Sequence, residues 1–516
     1  MAEQNGKYII SIDAGSTGIR AILYDRSGAI IRREYEKTPA EHPEPGATEH
    51  DPEMLWQALI KTVKAIFADG TVLPSEVAAI GITNQRSSFC IWDKKTGEPL
   101  TNFINWQDVR AADSIAKMNR HPVWMLLKGA MKLFSRIINS TLLIATSMLV
   151  FNTDHTIGKV RWLLDERPDL DKKCRRGKAV FGTIDTWFIY KLTGGKNHLT
   201  DYTNAASTAM FNPFDLKWND IYCKIFDIPM SMLPEVRDTN GYFGDAVPEL
   251  FGTAIPIRAA IGDQQSSLFG HGCYKPGDVK CSLGSGSFVC VNVGDKGKVS
   301  RRGLFPLVAW VIDGKPTYML EGQVATTGTL IDWLGQGIGL SDTPVELNEL
   351  AESCEDSEGV FFVPTPTGIR FPYFVPGAKA SLVGLSLKTD KRHVARAVLE
   401  GIAMRIQDIL EGVESDAKTE ITEIMTDGGV SRSDILMQCL ADYSGTEVER
   451  APEPDMTATG AAYMAGLSCG FWSDYRDLLG LRQGYTVFKP FISEEQREEK
   501  KKKWKDLLKN LLKVNL

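Results

Sequence analysis

Apolar runs alternate along this chain with stretches in which apolar positions recur every three to four residues, the pattern of strands covered by amphipathic helices. The first run, Tyr8-Ile9-Ile10-Ser11-Ile12, is rich in strand formers, and a loop follows, Asp13-Ala14-Gly15-Ser16-Thr17-Gly18. Ala21-Ile22-Leu23-Tyr24 returns, Asp25-Arg26-Ser27-Gly28 turns, and Ala29-Ile30-Ile31 continues as a third strand. Asp51-Pro52 predicts a helix start, with Asp as N-cap and Pro in the first turn. Trp56, Leu59, Ile60, Val63, Ile66 and Phe67 then give that helix one buried face. Residues 78–82 supply the next strand, so the chain opens β-β-β-α-β.

A similar hairpin recurs later. Val279-Lys280-Cys281-Ser282 runs into Leu283-Gly284-Ser285-Gly286-Ser287, and Phe288-Val289-Cys290-Val291 leads out. Helices are predicted over 327–334, 392–413 and 433–443. The two halves predict an α/β protein with domains at 1–271 and 272–490, separated near 270–277 where Gly, His, Lys and Pro interrupt the pattern. Residues 491–516 form a charged tail with Trp504, Leu507, Leu508, Leu511 and Leu512 at helical spacing, and Lys503, Lys505, Lys509 and Lys513 between them. Such a helix packs on its own domain, the favoured reading, or makes contact with an anionic membrane surface.

At 516 residues the chain is too long for one ordinary core. Its 43% hydrophobic and 24% charged residues describe a folded globular chain. A net charge of -6 argues against a nucleic-acid partner. The most apolar window, 137–151, is interrupted by Asn139, Ser140, Thr141, Thr146 and Ser147. It is shorter than the roughly 20 residues a bilayer span needs, so a buried helix or an interfacial segment is expected and no transmembrane segment. The polar start, Met1 to Lys7, predicts no secretory signal. Nine cysteines without a C-x-x-C pair and seven dispersed histidines predict reduced thiols, no structural metal and a cytoplasmic location. A homo-oligomer is compatible with the sequence, but no residue pattern specifies one.

The chemistry concentrates at Ile261-Gly262-Asp263-Gln264-Gln265, a carboxylate placed just after an apolar strand. An acid in that position can take a proton from a substrate hydroxyl. The loops at Asp13–Gly18 and Leu283–Ser287 offer amides and hydroxyls for the phosphates of a nucleotide, and Asp427-Gly428-Gly429 makes a glycine turn between a strand and a helix. Together they suggest an ATP-dependent kinase for a small polyol. The chain lacks G-x-x-x-x-G-K-[ST], so it is not a P-loop protein. On the acceptor side, Arg86 can donate two hydrogen bonds to vicinal hydroxyls, and Trp106 can cover the C–H face of a polyol.

With these motifs stand Gly81-Ile82-Thr83-Asn84-Gln85-Arg86, Phe181-Gly182-Thr183-Ile184-Asp185-Thr186-Trp187, Asp201-Tyr202-Thr203-Asn204-Ala205 and Thr459-Gly460-Ala461-Ala462. A further signature spans 381–400. Collinear from about 8 to 490, the chain resembles the FGGY carbohydrate kinases and, within them, the glycerol kinases, with the animal glycerol kinase 5 branch nearest. The resemblance implies an actin-like ATPase (ribonuclease H-like) fold, two domains flanking a nucleotide cleft, with ATP and Mg²⁺ as cofactors and glycerol as acceptor. It makes Asp263 the general base with Gln264 beside it, and puts Asp13 in the magnesium shell, through water. Ser16, Thr17 and Arg20 then face the phosphates with Gly284, Ser285 and Gly286, while Gly328, Gly428, Gly429 and Ser433 line the nucleotide site. Arg86 and Trp106 match the polyol-binding pair.

Two departures touch the acceptor. Ser87 stands where glycerol kinases carry glutamate, and Asp154 where they carry a tyrosine. Either Asp154 restores the carboxylate lost at 87, or the segment 119–156 is remodelled and the correspondence has slipped. Losing a charged hydrogen bond to substrate costs about 1.5–3 kcal/mol. Another polyol or sugar is therefore an alternative acceptor. A regulatory pseudokinase is a further alternative, against which the intact Asp13, Gly284-Ser285-Gly286 and Asp263 weigh.

Overall fold

The computed structural model describes residues 6–138, 140–375 and 377–514. The polar start, Met1 to Asn5, and Asn139 of the apolar window lie outside the described residues. The opening pattern folds as strands Tyr8–Ala14, Gly18–Tyr24 and Ile30–Lys37, helix Pro52–Ile66 and strand Val77–Asn84, with a short strand Glu49–His50 before the helix. Asp51 caps the helix as expected, its carboxylate accepting from the amide of Glu53. These strands join a six-stranded sheet in the order Gly244–Ala246, Ile255–Gly262, Val77–Asn84, Tyr8–Ala14, Gly18–Tyr24, Ile30–Lys37. Its three central strands run parallel, with Ala14, Asn84 and Gly262 opposite one another, so all three end at one edge.

The second half repeats this plan. Asp278–Leu283 pairs antiparallel with Ser287–Gly294 and parallel with Glu423–Asp427, as Tyr8–Ala14 does with Gly18–Tyr24 and Val77–Asn84. The seven-stranded sheet runs Phe305–Ile312, Lys315–Val324, Ser287–Gly294, Asp278–Leu283, Glu423–Asp427, Val448–Arg450, Thr486–Phe488. The helices expected over 327–334, 392–413 and 433–443 are Gly328–Ile338, Lys391–Ala417 and Asp434–Ser444.

Strand alternation sends Ile10, Ile12 and Leu23 to one face of the first sheet, where Leu55, Leu59, Val63 and Phe188 cover them. Ile9, Ile22, Tyr24 and Ile261 point the other way, into a core shared with Met319, Met425 and Trp310 of the second sheet. Two helices fill the space between the sheets: Asp263–Gly270, which follows the first sheet's strand Ile255–Gly262, and Met456–Ser468, which comes late in the chain yet packs on the first sheet. They cross at glycines. A Cβ on Gly460 would lie 1.8 Å from the carbonyl oxygen of Ser266, and one on Gly270 would lie 2.4 Å from that of Met456.

The favoured reading of the tail holds, and the expectation for the apolar window needs correction. The tail helix Glu494–Val514 turns its apolar side inward, with Trp504 and Leu508 buried and the Trp504 indole donating to Asp408. Lys501 and Lys505 pair with Glu411 on the same supporting helix, Lys391–Ala417. With its apolar face spent on its own domain, this helix has none to offer a membrane. The window 137–151 is not a buried helix: it holds helix Thr141–Met148, and Ile137, Ile138, Met148 and Val150 are exposed. Among the described residues no helix is long and apolar enough to cross a membrane.

Candidate active site

The parallel strands of both sheets end on the same cleft, and their terminal residues carry the polar groups that the sequence singled out. Asp263 opens helix Asp263–Gly270 directly after strand Ile255–Gly262. Its position is fixed from behind: the amide of Gly262 donates to the Thr203 hydroxyl at 2.7 Å, and Thr203 donates in turn to the buried Asp201 carboxylate. Gly262 leaves room for the arm of Arg86, since a Cβ there would meet Arg86 Cδ at 2.8 Å. Arg86 Nε then donates to Asp263 Oδ1 at 3.1 Å, and Nη2 to Glu321 Oε2 at 2.8 Å. Burial works against the Arg86 charge, but Glu321 and Asp263 more than offset it and hold the guanidinium above its ordinary pKa.

Gln264 donates its side-chain amide to Asp263 Oδ2, and Lys280 Nζ donates to Gln264 Oε1 at 2.5 Å. Asp13 closes the other side. Burial pushes its carboxyl up to about 6; Arg20, donating at 3.2 Å, opposes this, and the carboxylates of Asp263 and Asp455 add to the rise. The mutual repulsion of Asp13 and Asp263 marks a place where a cation is favoured, and hard carboxylate oxygens suit Mg²⁺. Among the described residues no cluster of three or more His, Cys, Asp or Glu could hold a metal by itself, so any such ion would need water and phosphate oxygens as further ligands.

The residues expected to face the phosphates fall on two hairpin loops. Ser16 and Thr17 are exposed at the tip of the first, closed by the Gly15 amide donating to the Gly18 carbonyl. In the second, the Gly284 amide donates to the Gly286 carbonyl, and the Ser285 carbonyl accepts from the amides of Thr327 and Thr329. That pins the loop to the start of helix Gly328–Ile338, where Gly328 lies too close to the Gly284 carbonyl for any side chain. Gly428 has φ +88° and sits against the Leu283 backbone, whereas a Cβ on Gly429 would meet open space. Asp427, Gly428, Ser431, Arg432 and Arg450 line a depression beside this turn. Ser433 is engaged otherwise: its hydroxyl caps helix Asp434–Ser444 by accepting from Leu436.

Of the residues expected to meet the acceptor, Trp106 is half-buried, and the loop bearing it is tethered by Lys159, whose ammonium donates to the carbonyls of Asn105 and Trp106 at 2.8 and 2.7 Å. Ser87 has φ +65°, and its hydroxyl donates to the Ser207 carbonyl, so it is turned away from Arg86. Asp154 does not take over there, because its carboxylate pairs with Arg370 at 3.0 Å, and Arg370 also donates to Gln323.

Glu321, Lys280, Asp455, Gln323 and Arg370 escaped the sequence reading. Glu321 and Lys280 left a signal, a lone charge inside an apolar strand run, which is costly unless paired. Arg370 sits in a loop and left none.

Both halves of the chain match known proteins. Residues 8–270 match the N-terminal domain of the FGGY family of carbohydrate kinases, and residues 279–469 its C-terminal domain. Glycerol kinase 2 of Thermotoga maritima is 38% identical over 500 residues, covering 97% of this chain and 98% of that protein. Glycerol kinase 5 of Danio rerio is 38% identical over 492 residues, covering 95% and 93%. The crystal structure of Plasmodium falciparum glycerol kinase with ADP superposes with a TM-score of 0.88 at 32% identity, covering 98% of each chain. With both domains matched in order and the relatives aligned almost end to end, the chain belongs to the FGGY family of carbohydrate kinases and is a phosphotransferase with an alcohol group as acceptor.

Proposed function

We propose that the enzyme transfers the γ-phosphoryl group of ATP to a primary hydroxyl of glycerol, giving glycerol 3-phosphate. The observation that supports this most is the pairing of Arg86 with Asp263 beside Asp13, one cation and two carboxylates at the ends of adjoining strands. Asp263 accepts the hydroxyl proton as the oxygen attacks phosphorus, and Arg86 and Gln264 orient the remaining hydroxyls. Trp106 covers the carbon chain. Asp13 would hold magnesium through water, and the ion would supply neutralisation of phosphate charge. The loops at Ser16–Thr17 and Gly284–Gly286, with Arg20, Gly328, Gly428 and Gly429, cradle the nucleotide. Ser433 contributes through its helix cap.

The test is ATP-dependent phosphorylation of glycerol by the purified enzyme and by Asp263→Ala. Loss of about 10²–10⁴-fold in kcat with an unchanged fold is expected for a missing general base; full activity in the variant overturns the assignment.

A second reading, a longer polyol or sugar, is favoured by the Asp154–Arg370–Gln323 group. Gln323 lies two residues from Glu321, so the two side chains share a face of one strand, their Cα atoms about 7 Å apart. Arg86 and Arg370 therefore offer two polar stations along one wall. Comparison of kcat/KM across polyols and ketoses decides: a three-carbon optimum supports glycerol, and a longer optimum that shifts in Arg370→Gln supports the second reading.

A further inference from the structure

Between Asp113 and Asp154 the chain carries no acidic residue, yet Lys117, Arg120, Lys128, Lys132 and Arg136 all fall there. The same stretch builds a helical pair, Pro122–Phe134 and Thr141–Met148, packed on each other. Its inner side is firmly seated: Trp124 is fully buried against Phe151, Tyr222 and Phe226. Its outer side is apolar. Val123, Leu126, Ala130 and Leu133 make a stripe at helical spacing, with Leu126 76% exposed, and Ile137 in the turn beyond is 78% exposed. Phe134, Ile138 and Val150 are exposed as well, while Lys132 and Arg136 stand in solvent beside them.

Isolated exposed apolar residues need no account, but a contiguous group on one element marks an interaction surface. Its charge selects the partner. A second copy of the chain, paired face to face, would set the same five cations against each other. A 13-residue helix is too short to span a bilayer. An apolar stripe on a segment whose own charges are all cations suits the plane of an anionic lipid surface, with the stripe among the acyl chains and Lys132 and Arg136 at the headgroups.

We propose that helix Pro122–Phe134 and the turn after it dock the enzyme peripherally on anionic membranes. This surface shares no residue with the candidate active site, so the proposal stands apart from the choice of acceptor.

Flotation of the full chain with phosphatidylcholine vesicles, with and without phosphatidylserine, tests it. Binding is expected with phosphatidylserine and should weaken with added salt. Leu126→Glu and Ile137→Glu should each reduce it at least about tenfold. Lys132→Gln and Arg136→Gln should each reduce it about fivefold. Both glutamate variants replace exposed side chains, so unchanged circular dichroism and kinase activity establish that the fold survives. Absence of binding to either vesicle overturns the proposal, as does binding that Leu126→Glu and Ile137→Glu leave intact. A concentration-dependent dimer that Leu126→Glu abolishes would assign the surface to self-association instead, and equally overturn it.

Discussion

Lys159 shows how a single buried residue can hold a loop in place, here the one that carries Trp106. Burial lowers its ammonium to about 8, partly offset by Asp108 and Asp154, and its two bonds hold the carbonyls on either side of the Trp106 amide. Lys159→Met should therefore raise KM for the acceptor about tenfold, the equivalent of one weakened charged hydrogen bond, with a smaller change in kcat; steady-state kinetics separates the two. His155 and His198 give a pH signature at the same scale. Both are pushed by burial from the ordinary 6.5 down to about 4. As pH falls from 6.5 the unfolded chain binds protons at these histidines that the folded form refuses until about 4, so their contribution to stability declines across that window. Each histidine contributes on the order of 3 kcal/mol to the loss. Asp13, whose carboxyl burial pushes up to about 6, and Asp185 and Asp201, raised by burial to about 6 and about 7, act in the opposite sense over the same range. The histidine part is therefore read from the difference: between pH 7 and pH 5 the urea midpoint of the wild type should fall relative to that of His198→Gln. If wild type and His198→Gln respond to pH identically, His198 is not held neutral.

The layered elements depend on close backbone approach where the two central helices cross. Gly460 has no space for a methyl group against Ser266, and the obstacle is backbone, which cannot rotate aside. Gly460→Ala should cost about 1–3 kcal/mol or more through overpacking, and by moving helix Asp263–Gly270 it should also lower kcat; calorimetry and kinetics together check this. Elements of this kind were the most legible part of the sequence. Alternating strands and the face at Trp56 to Phe67 announced themselves, because burial on a pleat or a helix imposes a period. The places of Asp13, Asp263 and the glycine turns at strand ends were legible as well, since an apolar run that stops at a carboxylate or a glycine marks where a strand ends. What stayed hidden was pairing across the fold. Ser87, Asp154 and Arg370 are far apart in the chain, and nothing local says that Asp154 meets Arg370 while Ser87 turns to Ser207. The window 137–151 misled for a related reason: hydrophobicity without a clear period cannot say which side faces water.

At the scale of the whole molecule, the two halves share one interior. Ile9, Ile22 and Ile261 of the first sheet and Met319 and Met425 of the second lie in a single cluster, joined through Ala458, Ala461 and Met464. Arg86–Glu321 and Asp154–Arg370 tie the walls of the cleft across the same divide. Thermal unfolding should accordingly give one cooperative transition and not two, with calorimetric and van't Hoff enthalpies in agreement. Two separated transitions would mean that the halves unfold independently. The late position of helix Met456–Ser468 also bears on how the protein is made. The first sheet has its last strand by Gly262, but one face waits for a helix encoded some two hundred residues later. At about 5–20 residues per second that wait is roughly 10–40 s on the ribosome. Throughout it Ile9, Ile22, Ala79 and Ile261 lack the cover of helix Met456–Ser468 and have at most that of the shorter helix Asp263–Gly270, so the nascent polypeptide is a natural client for a chaperone that holds apolar surface until synthesis ends.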